Sequence, residues 1–211
     1  MPAATAVAPA WGRGLYLITP DDADTARLIR RVEATIGAAT LLQYRNKAAD
    51  AVRKREQLAL LRPLCAARGV PLMVNDDVAL AAEFGADGVH LGEHDSGPRE
   101  ARERLGANAI VGVSCYDDLA RARDAAQAGA SYVAFGAFFP STTKPNARRA
   151  TLDLLRDSVG FGLPRVAIGG ITPDNAPSLI DAGADLIAVV GGVFDAPDPV
   201  AAAAAYRRCF E

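Results

Sequence analysis

Short runs of apolar residues alternate with longer amphipathic stretches eight times along the chain, and this alternation constrains the fold more than any other feature. Runs that are apolar throughout are typical of parallel strands buried on both faces, and the stretches between them have the apolar spacing of helices. Eight β/α units in strict alternation favour a single (β/α)₈ TIM barrel of the α/β class. The predicted strands are Leu15–Thr19, Leu41–Arg45, Leu72–Asn75, Gly88–Leu91, Ile110–Ser114, Tyr132–Ala137, Val166–Gly169 and Leu186–Val190.

An open, doubly wound sheet is the alternative architecture for such a pattern. Its phosphate-binding fingerprint is a glycine-rich turn after the first strand, whereas this turn reads Ile18-Thr19-Pro20-Asp21. The closed barrel is therefore preferred. We assign residues 13–211 to one catalytic barrel domain and residues 1–12, which are rich in alanine and proline, to a flexible N-terminal extension.

Local signals also mark where helices begin and end. A capping hydroxyl followed by proline, Thr172-Pro173, predicts a helix start. A short repeat ends three helices and opens the next strand, and its glycine suits the left-handed conformation that follows a helix. The repeat reads Gly85-Ala86-Asp87, Gly129-Ala130-Ser131 and Gly183-Ala184-Asp185.

Composition excludes several classes of function. A net charge of −2 and an aromatic content of 6% disfavour nucleic acid as a partner. No apolar run approaches the roughly 18 residues that span a bilayer, so no membrane segment is predicted. Three cysteines, an odd number with no close pair, indicate a reducing compartment, and we expect a cytoplasmic protein. The sequence leaves a homo-oligomer open.

Paired glycines follow the last two predicted strands, in Ile168-Gly169-Gly170-Ile171 and Val190-Gly191-Gly192-Val193. Active sites of such barrels form at the carboxyl ends of the strands, and the loops after strands seven and eight often bind phosphate. Glycine lets backbone N–H groups approach an anion closely. Two tight turns that need glycine only for their conformation are the alternative, but the location favours phosphate binding.

The second predicted strand ends in Gln43-Tyr44-Arg45-Asn46-Lys47. Alternate residues of a strand share a face, so Gln43, Arg45 and Lys47 are expected to point into the barrel mouth. Two cations and an amide in that position fit a multiply charged anion such as a diphosphate. A solvated charged turn is the alternative.

Carboxylates follow the third and fourth predicted strands, in Asn75-Asp76-Asp77 and at Asp95. Mg²⁺ takes oxygen ligands, commonly one or two carboxylates together with substrate phosphate oxygens and water. We therefore predict a magnesium ion beside the cations. Asp77 fits the start of the next helix, and a helix cap is the alternative role for Asp76.

The chain has two histidines, His90 and His94, and their spacing of four residues raises the question of zinc. That spacing brings two histidines together on a helix, whereas this segment is predicted to be a strand and a turn. No third histidine or cysteine completes a ligand set there. We therefore expect His90 to be a packed residue of the strand and His94 a loop residue.

Hydroxyl groups follow two further strands. Ser114 ends the fifth strand and is expected to donate a hydrogen bond to an anion rather than act as a nucleophile. The loop after the sixth strand is either an ordinary polar loop or an anion clamp made of Ser141, Thr142, Thr143 and Lys144. Two anion sites on one mouth indicate an enzyme with two phosphorylated small-molecule substrates.

Taken in order from Gly14 to Phe194, these segments resemble the thiamine-phosphate synthase (thiamine-phosphate pyrophosphorylase) family. The resemblance implies a Mg²⁺-dependent transferase that joins 4-amino-5-hydroxymethyl-2-methylpyrimidine diphosphate to 4-methyl-5-(2-phosphoethyl)thiazole, or to its carboxylated form. The products would be thiamine phosphate and diphosphate. The motifs are Gln43-Tyr44-Arg45-Asn46-Lys47, Asn75-Asp76-Asp77, Asp87-Gly88-Val89-His90-Leu91-Gly92, Gly112-Val113-Ser114, the Pro140 to Lys144 loop and Ile168-Gly169-Gly170-Ile171.

The same resemblance implies a role for each residue of the site. The catalytic residues would be Arg45, Ser114 and Lys144. The pyrimidine-diphosphate site would comprise these three with Gln43, which reads the pyrimidine, and with Tyr44, Asn46, Lys47 and Asn75. The thiazole-phosphate site would comprise Ser141, Thr142, Thr143, Gly169, Gly170, Val190 and Gly191. Asp76 and Asp95 would bind magnesium.

Two positions depart from the family's pattern. Ser141 replaces a usual threonine and keeps the hydroxyl, whereas Gly191 replaces a common serine and removes a side-chain contact to phosphate. A thiazole tautomerase-like relative and a non-catalytic phosphate-ligand sensor are the alternative functions. Neither alternative needs the full set of cations and carboxylates that this sequence carries.

Overall fold

Eight parallel strands close into a barrel in the computed structural model, which describes residues 11–140 and 148–211. Each strand pairs with the next along the chain, and the last pairs with the first. The predicted barrel is confirmed, and the ends of the predicted strands lie within two residues of the observed ones. The strands are β1 Gly14–Ile18, β2 Ala39–Tyr44, β3 Leu72–Asn75, β4 Gly88–Leu91, β5 Ile110–Tyr116, β6 Tyr132–Gly136, β7 Arg165–Ile168 and β8 Leu186–Val189.

Helices surround the barrel, and several begin in the same way. An aspartate before the helix accepts a hydrogen bond from a backbone N–H of the first turn, which has no partner within the helix. The capping residues are Asp24, Asp50, Asp77, Asp118 and Asp198. In the described residues the helices are α1 Thr25–Thr35, α2 Ala51–Arg68, α3 Val78–Glu83, α4 Pro98–Leu105, α5 Leu119–Gln127, α6 Leu152–Asp157, α7 Ala176–Asp181, α8 Gly191–Phe194 and α9 Pro199–Arg208.

Two apolar layers hold these elements together. Side chains that point outward from the strands pack under the helices, and those that point inward fill the barrel. Two buried tyrosines, Tyr16 on β1 and Tyr132 on β6, cross the interior. Trp11, which the sequence assigns to the N-terminal extension, packs edge-on against Tyr132 with ring centroids 6.1 Å apart. The other buried members of the inner layer are Ile18, Leu41, Met73, Ala134, Val166, Leu186 and Ala188.

The Gly-Ala-Asp/Ser repeat closes the amino-terminal face of the barrel. Its glycines have positive φ, as predicted for the residue after a helix. The side chain of its third residue accepts a backbone N–H from the start of the preceding strand. These bonds join Asp87 to Leu72 (2.8 Å), Ser131 to Val111 (3.0 Å) and Asp185 to Arg165 (2.9 Å). The repeat therefore has a structural role, at the end of the barrel opposite the active-site face.

The helix start predicted at Thr172 is wrong. The side chain of Asn175 accepts the backbone N–H of Thr172 at 2.9 Å and closes a turn, so α7 begins only at Ala176. The predictions for Ser141, Thr142, Thr143 and Lys144 fall on residues 141–147, which lie outside the described residues. None of the helices in the part of the chain that the structure describes has the length and apolar character needed to cross a membrane.

Candidate active site

The side chains at the end of β2 alternate between the barrel interior and the helix layer. Gln43 points inward, is 2% exposed, and donates from Nε2 to the Tyr16 hydroxyl at 2.7 Å. The Tyr44 hydroxyl donates to Gln57 Oε1 at 2.8 Å, and Asn46 Nδ2 donates to the same oxygen at 3.1 Å. The side chains of Tyr44 and Asn46 therefore tie β2 to α2. This orientation follows from the period of two in a strand. Both residues also line the cavity over the ends of β2 and β3, so their assignment to the pyrimidine-diphosphate site stays a prediction.

Arg45 and Lys47 lie at the mouth, and Asp21 holds both of them. Arg45 Nη1 is 3.2 Å from Asp21 Oδ1, and that oxygen accepts the backbone N–H of Lys47 at 2.7 Å. Thr19 Oγ1 donates to the Arg45 carbonyl and accepts the Arg45 N–H, both at 2.8 Å. Lys47 Nζ reaches across to Asp76 Oδ2 at 3.5 Å. The structure therefore brings Arg45 and Lys47, the cations predicted for this site, close to the predicted carboxylate of Asp76.

The carboxylates of Asp76 and Asp95 converge beside Gly92. A Cβ built on Gly92 would lie 3.0 Å from Asp95 Oδ2 and 3.9 Å from Asp76 Oδ1. The Gly92 N–H donates to Asp95 Oδ2 at 2.6 Å and fixes that carboxylate. Burial and the neighbouring Asp95 carboxylate raise the pKa of Asp76, although Lys47 opposes the shift. Two carboxylates held this close fit a divalent cation, because its charge relieves their repulsion.

The backbone at Asp76 helps to aim its carboxylate. Asp76 has φ of 63°, in the left-handed region that aspartate and asparagine tolerate better than most residues. Asp77 caps α3 through Leu80 N at 2.8 Å, which confirms the prediction for Asp77. Within residues 11–140 and 148–211 no group of three metal-ligating His, Cys, Asp or Glu side chains occurs. Substrate oxygens and water would therefore complete the coordination of a magnesium ion.

A cavity of about 600 Å³ lies over the carboxyl ends of β2 and β3. Its lining includes Arg45, Lys47, Asn75 and Asp76, together with Arg104 of α4. Asn75, which the sequence places beside the diphosphate, is thus found in the same cavity as the two cations. The volume is within the range of ordinary small-molecule sites.

A continuous chain of hydrogen bonds crosses the barrel from Gln43 to Ser114. The Tyr16 and Tyr132 hydroxyls are 2.8 Å apart, and the Tyr132 hydroxyl is 2.9 Å from His90 Nδ1. His90 Nε2 is 2.8 Å from Ser114 Oγ. Burial lowers the pKa of His90 to about 4 and raises the pKa of both tyrosines. All five side chains are therefore uncharged at neutral pH, and His90 and Ser114 form the partly exposed end of the chain.

Glycine is required where the loops after β6 and β7 meet. Gly169 and Gly170 have φ of 104° and 63°. A Cβ on Gly170 would lie 2.3 Å from the Pro140 carbonyl oxygen, and one on Gly169 would lie 2.4 Å from Ala137 Cβ. The conformation of a tight turn, which was the alternative to phosphate binding, therefore accounts in part for the presence of these two glycines. Among residues 11–140 and 148–211 the Gly170 N–H has no acceptor.

The segment after β8 has a different environment. Val190 and Gly191 are partly exposed, and Gly191 begins the short helix α8. A Cβ on Gly191 would lie 2.7 Å from Asp195 Oδ2. A carboxylate therefore occupies the space where the family commonly has a serine side chain.

Sequence reasoning missed Asp21, Tyr16, Tyr132 and Tyr116. Asp21 lies just after β1, at the same face as the recognised site, so its position was the available signal. Tyr116 has φ of 54°, and its hydroxyl lies 3.8 Å from the Cβ position of Gly92, beside the carboxylate pair. Nothing local in the sequence marks Tyr16 and Tyr132, because their contact spans 116 residues of chain.

Comparisons with known proteins give relatives along nearly the whole chain. A family model described as thiamine monophosphate synthase matches residues 15–193. A thiamine-phosphate synthase of Xanthomonas campestris pv. campestris (strain 8004) is 61% identical over 198 residues, which cover 94% of this chain and 96% of that protein. The corresponding protein of Azoarcus sp. (strain BH72) is 58% identical, covering 94% of this chain and 97% of its own.

Solved structures give the same result for the fold. A thiamine phosphate pyrophosphorylase from Pyrococcus furiosus superposes with a TM-score of 0.81 at 34% identity, covering 93% of this chain and 94% of that one. A 3-hexulose-6-phosphate synthase, at 19% identity and a TM-score of 0.70, shares the fold.

Proposed function

The chain belongs to the thiamine monophosphate synthase family, and from that premise we propose how its barrel mouth makes thiamine phosphate. The reaction joins 4-amino-5-hydroxymethyl-2-methylpyrimidine diphosphate to 4-methyl-5-(2-phosphoethyl)thiazole, or its carboxylated form, and releases diphosphate, together with CO2 when the carboxylated form reacts. One observation carries the proposal: Arg45, Lys47 and the Asp76–Asp95 pair converge on one side of the mouth. That side holds the leaving group.

The cations of β2 bind the diphosphate and stabilise the charge that builds on it. Arg45 offers a planar set of donors and Lys47 a compact charge, and both suit phosphate oxygens. Asp21 restrains their directions before substrate arrives. Charge stabilisation by groups that are already oriented costs no reorganisation when the bond breaks. Lys144, proposed from the family resemblance, would add a third cation.

Asp76 and Asp95 are proposed to hold Mg²⁺. Bound there, the ion would supply positive charge to the diphosphate oxygens as they leave carbon. Without a cation the two carboxylates repel each other, and Lys47 offsets only part of this repulsion. Mg²⁺ is commonly bound by one or two carboxylates, with substrate oxygens and water in its remaining coordination positions. Asp76 and Asp95 fit this pattern.

No side-chain nucleophile is needed. The bond between the pyrimidine methylene and the diphosphate oxygen breaks with its electron pair on oxygen. The lone pair of the thiazole nitrogen then forms the new carbon–nitrogen bond. The aminopyrimidine carries the positive charge between these events, which makes the substitution dissociative. The protein's contribution is positioning and leaving-group stabilisation.

Ser114 is a hydrogen-bond donor in this scheme. Its neighbour His90 is neutral, because burial lowers the pKa of its ring to about 4. A histidine with so low a pKa is a poor general base for activating a serine near neutral pH. Ser114 therefore binds a diphosphate oxygen rather than attacking carbon.

The thiazole phosphate binds on the opposite side of the mouth. We propose that the backbone N–H groups around Gly169, Gly170, Val190 and Gly191 contact its phosphate. The hydroxyls of Ser141, Thr142 and Thr143 join them according to the family resemblance. Separation of the two anions lets the thiazole nitrogen face the methylene carbon while the diphosphate departs.

We further propose that the enzyme works in the cytoplasm. Cys65 and Cys115 are buried free thiols and Cys209 is a partly exposed one, which suits a reducing compartment. Its partners are the two phosphorylated substrates, without nucleic acid or membrane. Compartment can be tested by fractionation of cells that carry an epitope-tagged chain.

The proposal is tested by incubating the purified protein with both substrates and measuring diphosphate and thiamine phosphate. Release of both products, suppressed by a chelator and restored by Mg²⁺, is expected. Binding of the substrates without release would instead favour a phosphate-ligand sensor. Isomerisation of the thiazole without coupling would favour a tautomerase-like relative.

A further inference from the structure

We propose that His90 is a positioning residue. A buried hydrogen-bond chain holds it as the Nε2–H tautomer, so that Ser114 Oγ accepts from His90 and directs its own hydrogen toward the substrate anion. This inference rests on the proposed function, in which Ser114 contacts the diphosphate. It explains why a chain of five polar side chains crosses an otherwise apolar barrel.

The direction of the chain follows from the orientation of the Gln43 amide, whose Nε2 rather than Oε1 faces the Tyr16 hydroxyl in this structure. Its Nε2 donates to the Tyr16 hydroxyl at 2.7 Å, so the Tyr16 oxygen acts as an acceptor there. The Tyr16 hydrogen must then find an acceptor of its own. Among the described residues, the Tyr132 oxygen at 2.8 Å is its other hydrogen-bond partner. Tyr16 therefore donates to Tyr132.

The same reasoning passes from Tyr132 to the histidine. Having accepted from Tyr16, the Tyr132 hydroxyl donates to His90 Nδ1 at 2.9 Å. His90 Nδ1 is thus an acceptor and carries no hydrogen. A ring that accepts at Nδ1 carries its hydrogen on Nε2, which donates to Ser114 Oγ at 2.8 Å.

The reverse direction is unfavourable. With Gln43 Nε2 facing Tyr16, a chain running from Ser114 through His90 toward Tyr16 would make the Tyr16 oxygen accept twice and leave its hydrogen without an acceptor. A buried hydroxyl hydrogen without a partner loses its hydration and gains no hydrogen bond in return. Tyr16 is 1% exposed, so water does not solvate that hydrogen.

The consequence lies at the mouth. Ser114 is the partly exposed end of the chain, and its oxygen is already engaged by the His90 N–H. Its hydroxyl hydrogen is therefore left for a ligand, and an anion is the ligand that accepts it. The opposite direction would present a serine oxygen, which repels an anion. His90 thus acts through Ser114 and does not touch the substrate.

The tautomer can be observed directly by NMR. A long-range ¹H–¹⁵N spectrum of protein labelled with ¹⁵N-histidine contains two rings, His90 and the exposed His94. A His94→Gln variant assigns them. We expect the neutral Nε2–H pattern for His90 at pH 7, and loss of its single-tautomer pattern in Tyr132→Phe. A Nδ1–H tautomer or a charged ring for His90 would overturn the inference.

A double-mutant cycle tests the link to function. Ser114→Ala should lower kcat/KM for the pyrimidine diphosphate about 10- to 100-fold, as expected for a hydrogen bond to a charged group. Tyr132→Phe should lower it roughly 5-fold when Ser114 is present, as expected for one neutral hydrogen bond. In the Ser114→Ala background the same change should cost less than about 2-fold, because the residues act as one unit.

Tyr206→Phe is the matched control, since it removes another buried tyrosine hydroxyl, which donates to the Ile171 carbonyl outside the barrel interior. Its effect should be the same in both backgrounds. If Tyr132→Phe also has one constant effect, His90 is merely structural and the inference fails while the proposed function stands. If Ser114→Ala leaves kcat/KM unchanged, the proposed role of Ser114 fails and the inference falls with it.

Discussion

Arg45 Nη1 lies 3.2 Å from Asp21 Oδ1, and this pair joins the ends of the first two strands. The same oxygen accepts the Lys47 backbone N–H, so one carboxylate restrains both cations of the diphosphate site. An acidic residue beside an anion site weakens binding through its charge. Its presence is explained if orientation of the cations matters more than that repulsion.

Asp21→Asn tests this balance. The variant should raise KM for the pyrimidine diphosphate about 3- to 10-fold, because one charge-assisted contact to the cations is weakened. Stability should change little, since the ion pair is partly exposed. Asp153→Asn, which removes an exposed carboxylate 2.9 Å from Arg156, is the matched control and should leave KM unaltered. Tighter substrate binding by Asp21→Asn would contradict the account.

Asp76→Asn should stabilise the metal-free protein by up to about 1 kcal/mol at pH 7. It removes one of two facing carboxylates, and asparagine tolerates the left-handed backbone of this position. Chemical denaturation measures the change. Added Mg²⁺ should stabilise the wild-type protein but not the variant. A less stable variant in the presence of a chelator would show that the carboxylates do not repel.

Gly170→Ala should destabilise the protein by about 2 kcal/mol or more. The residue has φ of 63°, and an added Cβ would lie 2.3 Å from the Pro140 carbonyl oxygen. KM for the thiazole phosphate should also rise, because the backbone N–H groups proposed to contact its phosphate would shift. Gly160→Ala is the control, because a Cβ there meets nothing within 4 Å. Equal thermal midpoints for the two variants would refute the close-packing argument.

Gly191→Ser alone should bring little gain in affinity for the thiazole phosphate. The new Cβ would lie 2.7 Å from Asp195 Oδ2, so the carboxylate must move before the serine hydroxyl can serve an anion. Gly191→Ser combined with Asp195→Ala should lower KM by more than the product of the single effects. Steady-state kinetics of the three variants decide the point. Strict additivity would indicate that Asp195 does not control this position.

His90 should contribute to acid sensitivity. Its pKa is about 4 in the folded protein, against about 6.5 for an unperturbed histidine. The unfolded chain therefore binds the proton more readily between these values, and stability from this group is present above pH 6.5 and lost as the pH falls toward 4. His90→Gln should show a smaller loss of unfolding free energy between pH 7.5 and pH 5. An unchanged loss would mean that His90 is not kept neutral by folding.

The sequence was most informative where the physics is local. Apolar runs placed the strands because a strand buried on both faces needs continuous apolar residues, and alternation put Gln43 and Arg45 at the mouth. The same alternation turns Tyr44 toward α2, although it was assigned with its neighbours. Tyr16 and Tyr132 could not be paired from sequence, because only closure of the barrel brings their strands within reach of each other.

The central claim is that the Asp76–Asp95 side of the mouth withdraws the diphosphate. The most direct measurement is the rate of diphosphate release from both substrates in wild-type and Asp76→Asn protein across a Mg²⁺ titration. We expect release that requires Mg²⁺ in the wild type, and in the variant a rate at least about 100-fold lower at limiting Mg²⁺. Equal rates for the two proteins at limiting Mg²⁺, or full release in the presence of a chelator, would contradict it.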